Sequence, residues 1–256
     1  MAFKPAEPGK AHPAPWKTTA GGVAFDITAQ LSIPKKVGSY DHAEIAPAIV
    51  FLLRLWVNPA IFASAISTHP FKELADTTDE TVNIAPYEVH PKYYTLRIVD
   101  GDISTDSIEW VSRNWMTAVR LNKESKEFRF AFDSLGLVQF VSNTGLFIVY
   151  LWSALEALFS PSTTELRFRL SALIASFLED SGESRAKLQK EVARLYDKRS
   201  AAAHGKPTHE SADLLKTSEL LRHVLIKMID IGKVPSKEEL EGYLFGTQQA
   251  TRPPNA

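Results

Sequence analysis

The sequence predicts a mainly α-helical protein: a four- or five-helix bundle in the C-terminal half and a mixed N-terminal region holding one or two short strands. Three observations carry this. Residues 146–159, LFIVYLWSALEALF, are apolar almost all round, as in a helix at the middle of a core. The next segment carries Leu166, Leu170, Leu173, Ile174, Phe177 and Leu178 at helical spacing. Helix-ending residues then recur in the expected order, with Gly205 and Pro207 behind one stripe and Gly232 behind another.

Taken in chain order, residues 1–20 hold prolines and lysines but no apolar core, so they read as a disordered tail and not as a secretory signal. Residues 21–105 form an N-terminal region of unknown role. Within it, 21–33 and 93–99 alternate enough to be strands. Residues 43–67 are helical up to a break at Asn58-Pro59. That apolar run has Arg54, Asn58 and Pro59 in its middle, which fits a buried, broken helix and not a membrane span. Pro86, Pro91 and residues 100–102 mark loops.

A helical domain spans 106–245, opening with helices at 106–121 and 124–137. Ser160-Pro161 ends the apolar central helix, and Ser162 with Glu165 forms a capping box for the next, which Gly182 closes. Residues 184–204 show Leu188, Val192, Leu195 and Tyr196 on one face. A further helix, from about Glu210, shows Leu214, Leu221, Val224, Leu225 and Met228. Ser236 with Glu239 caps a short last helix, and 246–256 read as a second tail.

Composition narrows the chemistry. The 256 residues are 45% hydrophobic and 23% charged, the balance of an ordinary globular chain. A net charge of -1 gives no global basic field, so any nucleic-acid site has to be a local patch. With no cysteine, disulfides, thiolate catalysis and cysteine-bound zinc are excluded. There is no Ser-His-Asp order, HExxH or GxGxxG, and GKPT at residues 205–208 lacks the upstream glycine of a phosphate-binding loop. His204 and His209 are separated by Gly205 and Pro207 with no carboxylate motif, which makes a poor metal pair.

The stretch LYDKRSAAAHG, residues 195–205, stands out. Each helical residue turns about 100°, which puts Arg199 in the centre of the stripe of Leu188, Val192 and Leu195. A guanidinium there must meet a carboxylate, a polar cleft or another subunit. His204 lies about 140° further round, so the two side chains do not meet in one ideal helix. Glu156 is the only charged residue on the apolar helix 146–159 and is the expected partner of Arg199.

LWSALEALF, RFRLSALIASFLE, LYDKRSAAAHG and a last amphipathic helix containing Arg222 together resemble a HEPN domain, closest to the Apea-like subgroup. The likeness covers about residues 145–231. Its mark, an arginine and a histidine late in a bundle helix, falls here on Arg199 and His204. Ser200 stands in the polar position after the arginine, and Glu156 matches the acidic residue of the earlier helix. The resemblance implies a metal-independent endoribonuclease that needs no cofactor. Its site would form where two subunits of a homodimer meet, with Arg199 and His204 catalytic and Glu156, Ser200 and Tyr196 in support. It further implies cleavage of RNA, tRNA or another structured RNA, to 2′,3′-cyclic phosphate ends. The setting would be a cytoplasmic defence or stress response with a regulatory protein partner and no membrane. The alternative is a non-catalytic HEPN-like module binding RNA, a nucleotide or a protein through the same groove.

Overall fold

The computed structural model describes residues 2–3, 25–26, 29–74, 81–88, 93–94, 105–159 and 165–248. The chain divides into two compact units, one of residues 1–46 and 61–91, the other of 47–60 and 92–256. The second therefore takes in 47–60, a piece of the region that precedes the expected helical domain.

The first unit holds three pairs of short strands. β1 (Ala2–Phe3) runs parallel to β2 (Phe25–Asp26). Ala2 and Phe3 thus pair within the segment expected as a tail, whose other residues lie outside those described. β3 (Lys36–Val37) and β4 (Tyr40–Asp41) form a hairpin. Its two-residue turn needs Gly38, which adopts φ +59°. β5 (Ala65–Ser67) and β6 (Ile84–Pro86) are antiparallel, with Ala65 opposite Pro86. Pro86, expected in a loop, ends a strand instead, a place where its missing N–H breaks no central ladder.

Among the described residues of the expected strand 21–33, only Phe25 and Asp26 pair as strand. Gln30 is occupied otherwise, its side chain bonding Ser32 Oγ at 3.1 Å and accepting from the Phe71 N–H at 2.8 Å. Of 93–99 only Tyr93 and Tyr94 are described. Their N–H groups turn to the Gln139 carbonyl, at 2.9 and 3.4 Å, and they pair with no strand among the described residues. Residues 95–102 and Pro91 lie outside the described residues, as does Ser162.

The fold is mainly α. α1 (His42–Leu52) is capped by Asp41, whose Oδ1 accepts from the N–H groups of Ala43 and Glu44 at 2.9 and 3.1 Å. It continues as a π-turn over Leu53–Val57, which closes with the Asn58 N–H on the Leu53 carbonyl at 2.9 Å. The expected break at Asn58-Pro59 is therefore present, as a widened last turn.

In the second unit, α2 (Thr105–Glu124) and α3 (Lys126–Leu137) are followed by α4 (Thr144–Phe159). α4 packs on α3, α6 (Glu183–Ala203) and α7 (Ser211–Ile231), which explains why it has no polar face. Phe147, Ile148, Leu151, Trp152, Ala154 and Leu155 are all fully buried. α5 (Leu166–Leu178) packs on α6 and on the short α8 (Lys237–Phe245). The Ser236–Glu239 capping box opens α8 as the sequence predicts.

Candidate active site

α6 positions the two residues singled out in the sequence. Its apolar side is anchored by Val192, Leu195 and Tyr196, all buried, and the helix stays regular through Ala203. Side chains on a helix lean toward its N-terminus, so Arg199 lies back over Tyr196, with Cζ 5.6 Å from the ring centroid. Tyr196 in turn meets the indole of Trp152 edge-on at 5.2 Å. Burial, and then the charge of Glu156, push the Tyr196 phenol above its ordinary pKa.

The expected partnership between helices α4 and α6 is present. Arg199 Nη2 donates to Glu156 Oε2 at 3.1 Å. Oε1 lies 3.0 Å from the same nitrogen as an ion pair but is out of line for a hydrogen bond. Glu156 is less enclosed than its apolar helix suggests: the two side chains are 23% and 22% exposed. Glu156 lies at the edge of the buried face of α4, with Ser153 and Ala157 also half-buried there. Arg199 Nε is buried without a hydrogen-bond partner, as is Trp152 Nε1. Nη1 makes no hydrogen bond among the described residues.

His204 is the C-cap of α6 and is exposed. Its backbone N–H bonds the Ser200 carbonyl at 3.2 Å. Gly205, at φ +71°, turns the chain out of the helix. Gly205 N–H then bonds Ala202 O at 3.1 Å and Lys206 N–H bonds Ala201 O at 2.9 Å, a Schellman closure. Among the described residues no hydrogen bond or ion pair joins His204 to Arg199, in keeping with their angular separation on one helix. Ser200 is half-buried, and its side chain makes no hydrogen bond among the described residues.

Other polar contacts hold this end of α6, and the sequence did not disclose them. Lys198 Nζ donates to the Thr208 carbonyl at 2.8 Å, tying down the loop after His204. Arg167 of α5 grips Asp197 with two bonds, at 2.6 and 2.8 Å. Arg194 bonds both oxygens of Glu191, at 3.0 and 3.1 Å, and Asp213 of α7 at 2.9 Å. Burial opposes ionisation of Asp213, but the Glu210 N–H and the Arg194 guanidinium hold its carboxyl below the usual range. The signal for such pairs is an opposite charge three residues away or on a neighbouring helix, which sequence alone cannot rank. No group of three His, Asp or Glu side chains gathers as a metal site among the described residues.

The arrangement is an arginine braced on one side by a carboxylate and an aromatic ring, followed by an exposed imidazole at the helix end. Chemically it can hold an anion and move a proton nearby. Comparison with known proteins finds no match to a family model, a curated protein or a solved structure.

Proposed function

We propose that this chain is a metal-independent HEPN endoribonuclease acting as a homodimer. The single observation that supports it most is the state of Arg199. The guanidinium sits on an otherwise apolar stripe and is fixed by one nitrogen to Glu156, while Nη1 makes no hydrogen bond among the described residues and an exposed histidine follows five positions on.

RNA supplies its own nucleophile, the 2′-hydroxyl, so the protein need provide only a base, an acid and a stabiliser of phosphorane charge. One His204 removes the 2′-hydroxyl proton as the oxygen attacks phosphorus. The other copy's His204 protonates the departing 5′-oxygen, and Arg199 holds the non-bridging oxygens. The products are a 2′,3′-cyclic phosphate and a 5′-hydroxyl. This division explains why Arg199 and His204 need not touch within one chain. Leu146 and Tyr150, one turn apart on α4 and 60% and 39% exposed, offer apolar surface for the second copy.

His204→Ala should lower cleavage of structured RNA 10²–10⁴-fold, roughly the value of a positioned proton transfer. Dimerisation and melting should stay as in the parent, since the residue is exposed at the helix end. DNA, lacking the 2′-hydroxyl, should not be cut. A His204→Ala protein that cuts as well as the parent would hand the case to the non-catalytic binding module. The missing link between Arg199 and His204 within one chain is the observation that favours that second reading.

A further inference from the structure

The π-turn after α1 builds a pocket that the catalytic proposal does not use, since none of Glu156, Arg199 and His204 lines it. Its origin is Pro59. In an α-helix the Leu55 carbonyl would accept from residue 59, but proline has no N–H. Arg222 of α7 takes that role instead, its Nε donating to the Leu55 carbonyl. Its Nη1 donates to Glu219 Oε2 at 3.1 Å. Nη2 makes no hydrogen bond among the described residues. Arg222 is thereby held rigidly with one donor edge unused.

The second unsatisfied group belongs to Gln139, which lines the same pocket and is only 3% exposed. Its Nε2 donates to the Gly136 carbonyl at 3.3 Å, which fixes the orientation of the amide. Its Oε1 is buried and has no hydrogen-bond partner. A buried acceptor left open is costly, so it marks a place where a donor belongs. The cavity is small, ≈ 30 Å³, with Phe51 and Pro59 among its apolar walls. Arg54 and Glu219 also line it.

We propose that this pocket binds the planar amide-type edge of a small ligand, an N–H beside a carbonyl. Uracil and guanine bases present that edge, and so do primary carboxamides. The N–H donates to Gln139 Oε1 and the carbonyl accepts from Arg222 Nη2. The cavity admits the edge alone, and the ring stays outside it. None of this depends on the ribonuclease proposal, and binding should be unchanged in His204→Ala.

The test uses the full chain labelled with ¹⁵N and titrated, in separate arms, with uridine 5′-monophosphate and with nicotinamide at millimolar concentration. The Gln139 side-chain amide resonance should shift on titration. Response to the nucleotide alone assigns the site to a base, and response to nicotinamide alone assigns it to a carboxamide. Gln139→Met keeps the volume and removes the acceptor, and should weaken binding roughly tenfold. Where that variant fails to fold, the wild-type Gln139 resonance decides by itself. No shift at Gln139 with either probe, or equal affinity in folded Gln139→Met, overturns the proposal.

Discussion

Arg199 occupies a position where the stripe of α6 asks for a leucine. What makes a guanidinium tolerable there is local: Glu156 neutralises it, the Tyr196 ring shields one face, and about a fifth of the side chain reaches solvent. Its buried Nε is already unpaired, so little further loss can be absorbed. Glu156→Ala should therefore destabilise the fold by about 1–2 kcal/mol, measured by urea denaturation, because it strands a half-buried cation. A variant with the parent's midpoint would show that Arg199 finds water or another acceptor without cost. Arg199→Ala should abolish cleavage and also lower stability, which separates it from His204→Ala, where only activity should fall.

At the scale of elements, the C-terminal end of α6 is set by Gly205. Nothing lies within 4 Å of a Cβ added there, so the constraint is the backbone at φ +71° and not crowding. Gly205→Ala should cost about 1 kcal/mol and loosen the presentation of His204, readable as a lower melting temperature together with reduced cleavage. The α6–α7 junction has its own pH signature. Glu191 bonds Arg194 first and Lys216 at 2.7 Å, and these hold its carboxyl down from 4.5 to about 2. A depressed acid stabilises the fold above its unfolded value, and that contribution is lost as pH falls toward the folded one. Stability should thus decline between about pH 4.5 and 2. Glu191→Gln should flatten part of that decline in urea midpoints taken across the range. An unchanged slope would place the acid sensitivity elsewhere.

For the whole molecule, the consequence lies in assembly. A site whose arginine and histidine do not meet within one chain is completed, in the proposed enzyme, by a second copy. Sedimentation should show a dimer at micromolar concentration. Leu146→Glu should shift it toward monomer while leaving helix content intact, because Leu146 is 60% exposed and contributes little to the monomer's core. Cleavage should fall with the dimer fraction. A monomeric parent, or a Leu146→Glu dimer of parental affinity, would contradict the shared site.

Much of the helical unit was decided by the sequence alone. Apolar periodicity, the Ser236–Glu239 box and the glycines at 205 and 232 placed the helices of the C-terminal half, because each signal acts within a turn or two of its own residue. The Glu156–Arg199 pair was legible for a related reason: one charge on each of two apolar faces leaves few partners. The N-terminal region was not legible in this way. Its strands are two or three residues long, too short for alternation to register, and the chain there is fixed by side chains such as Gln30 instead. Only the tertiary structure showed that Pro59 opens a carbonyl for Arg222, 163 positions later in the chain, and that Gln139 is buried beside them. A proline announces its missing N–H locally, but the group that compensates for it is chosen by how helices pack, and packing has no local code.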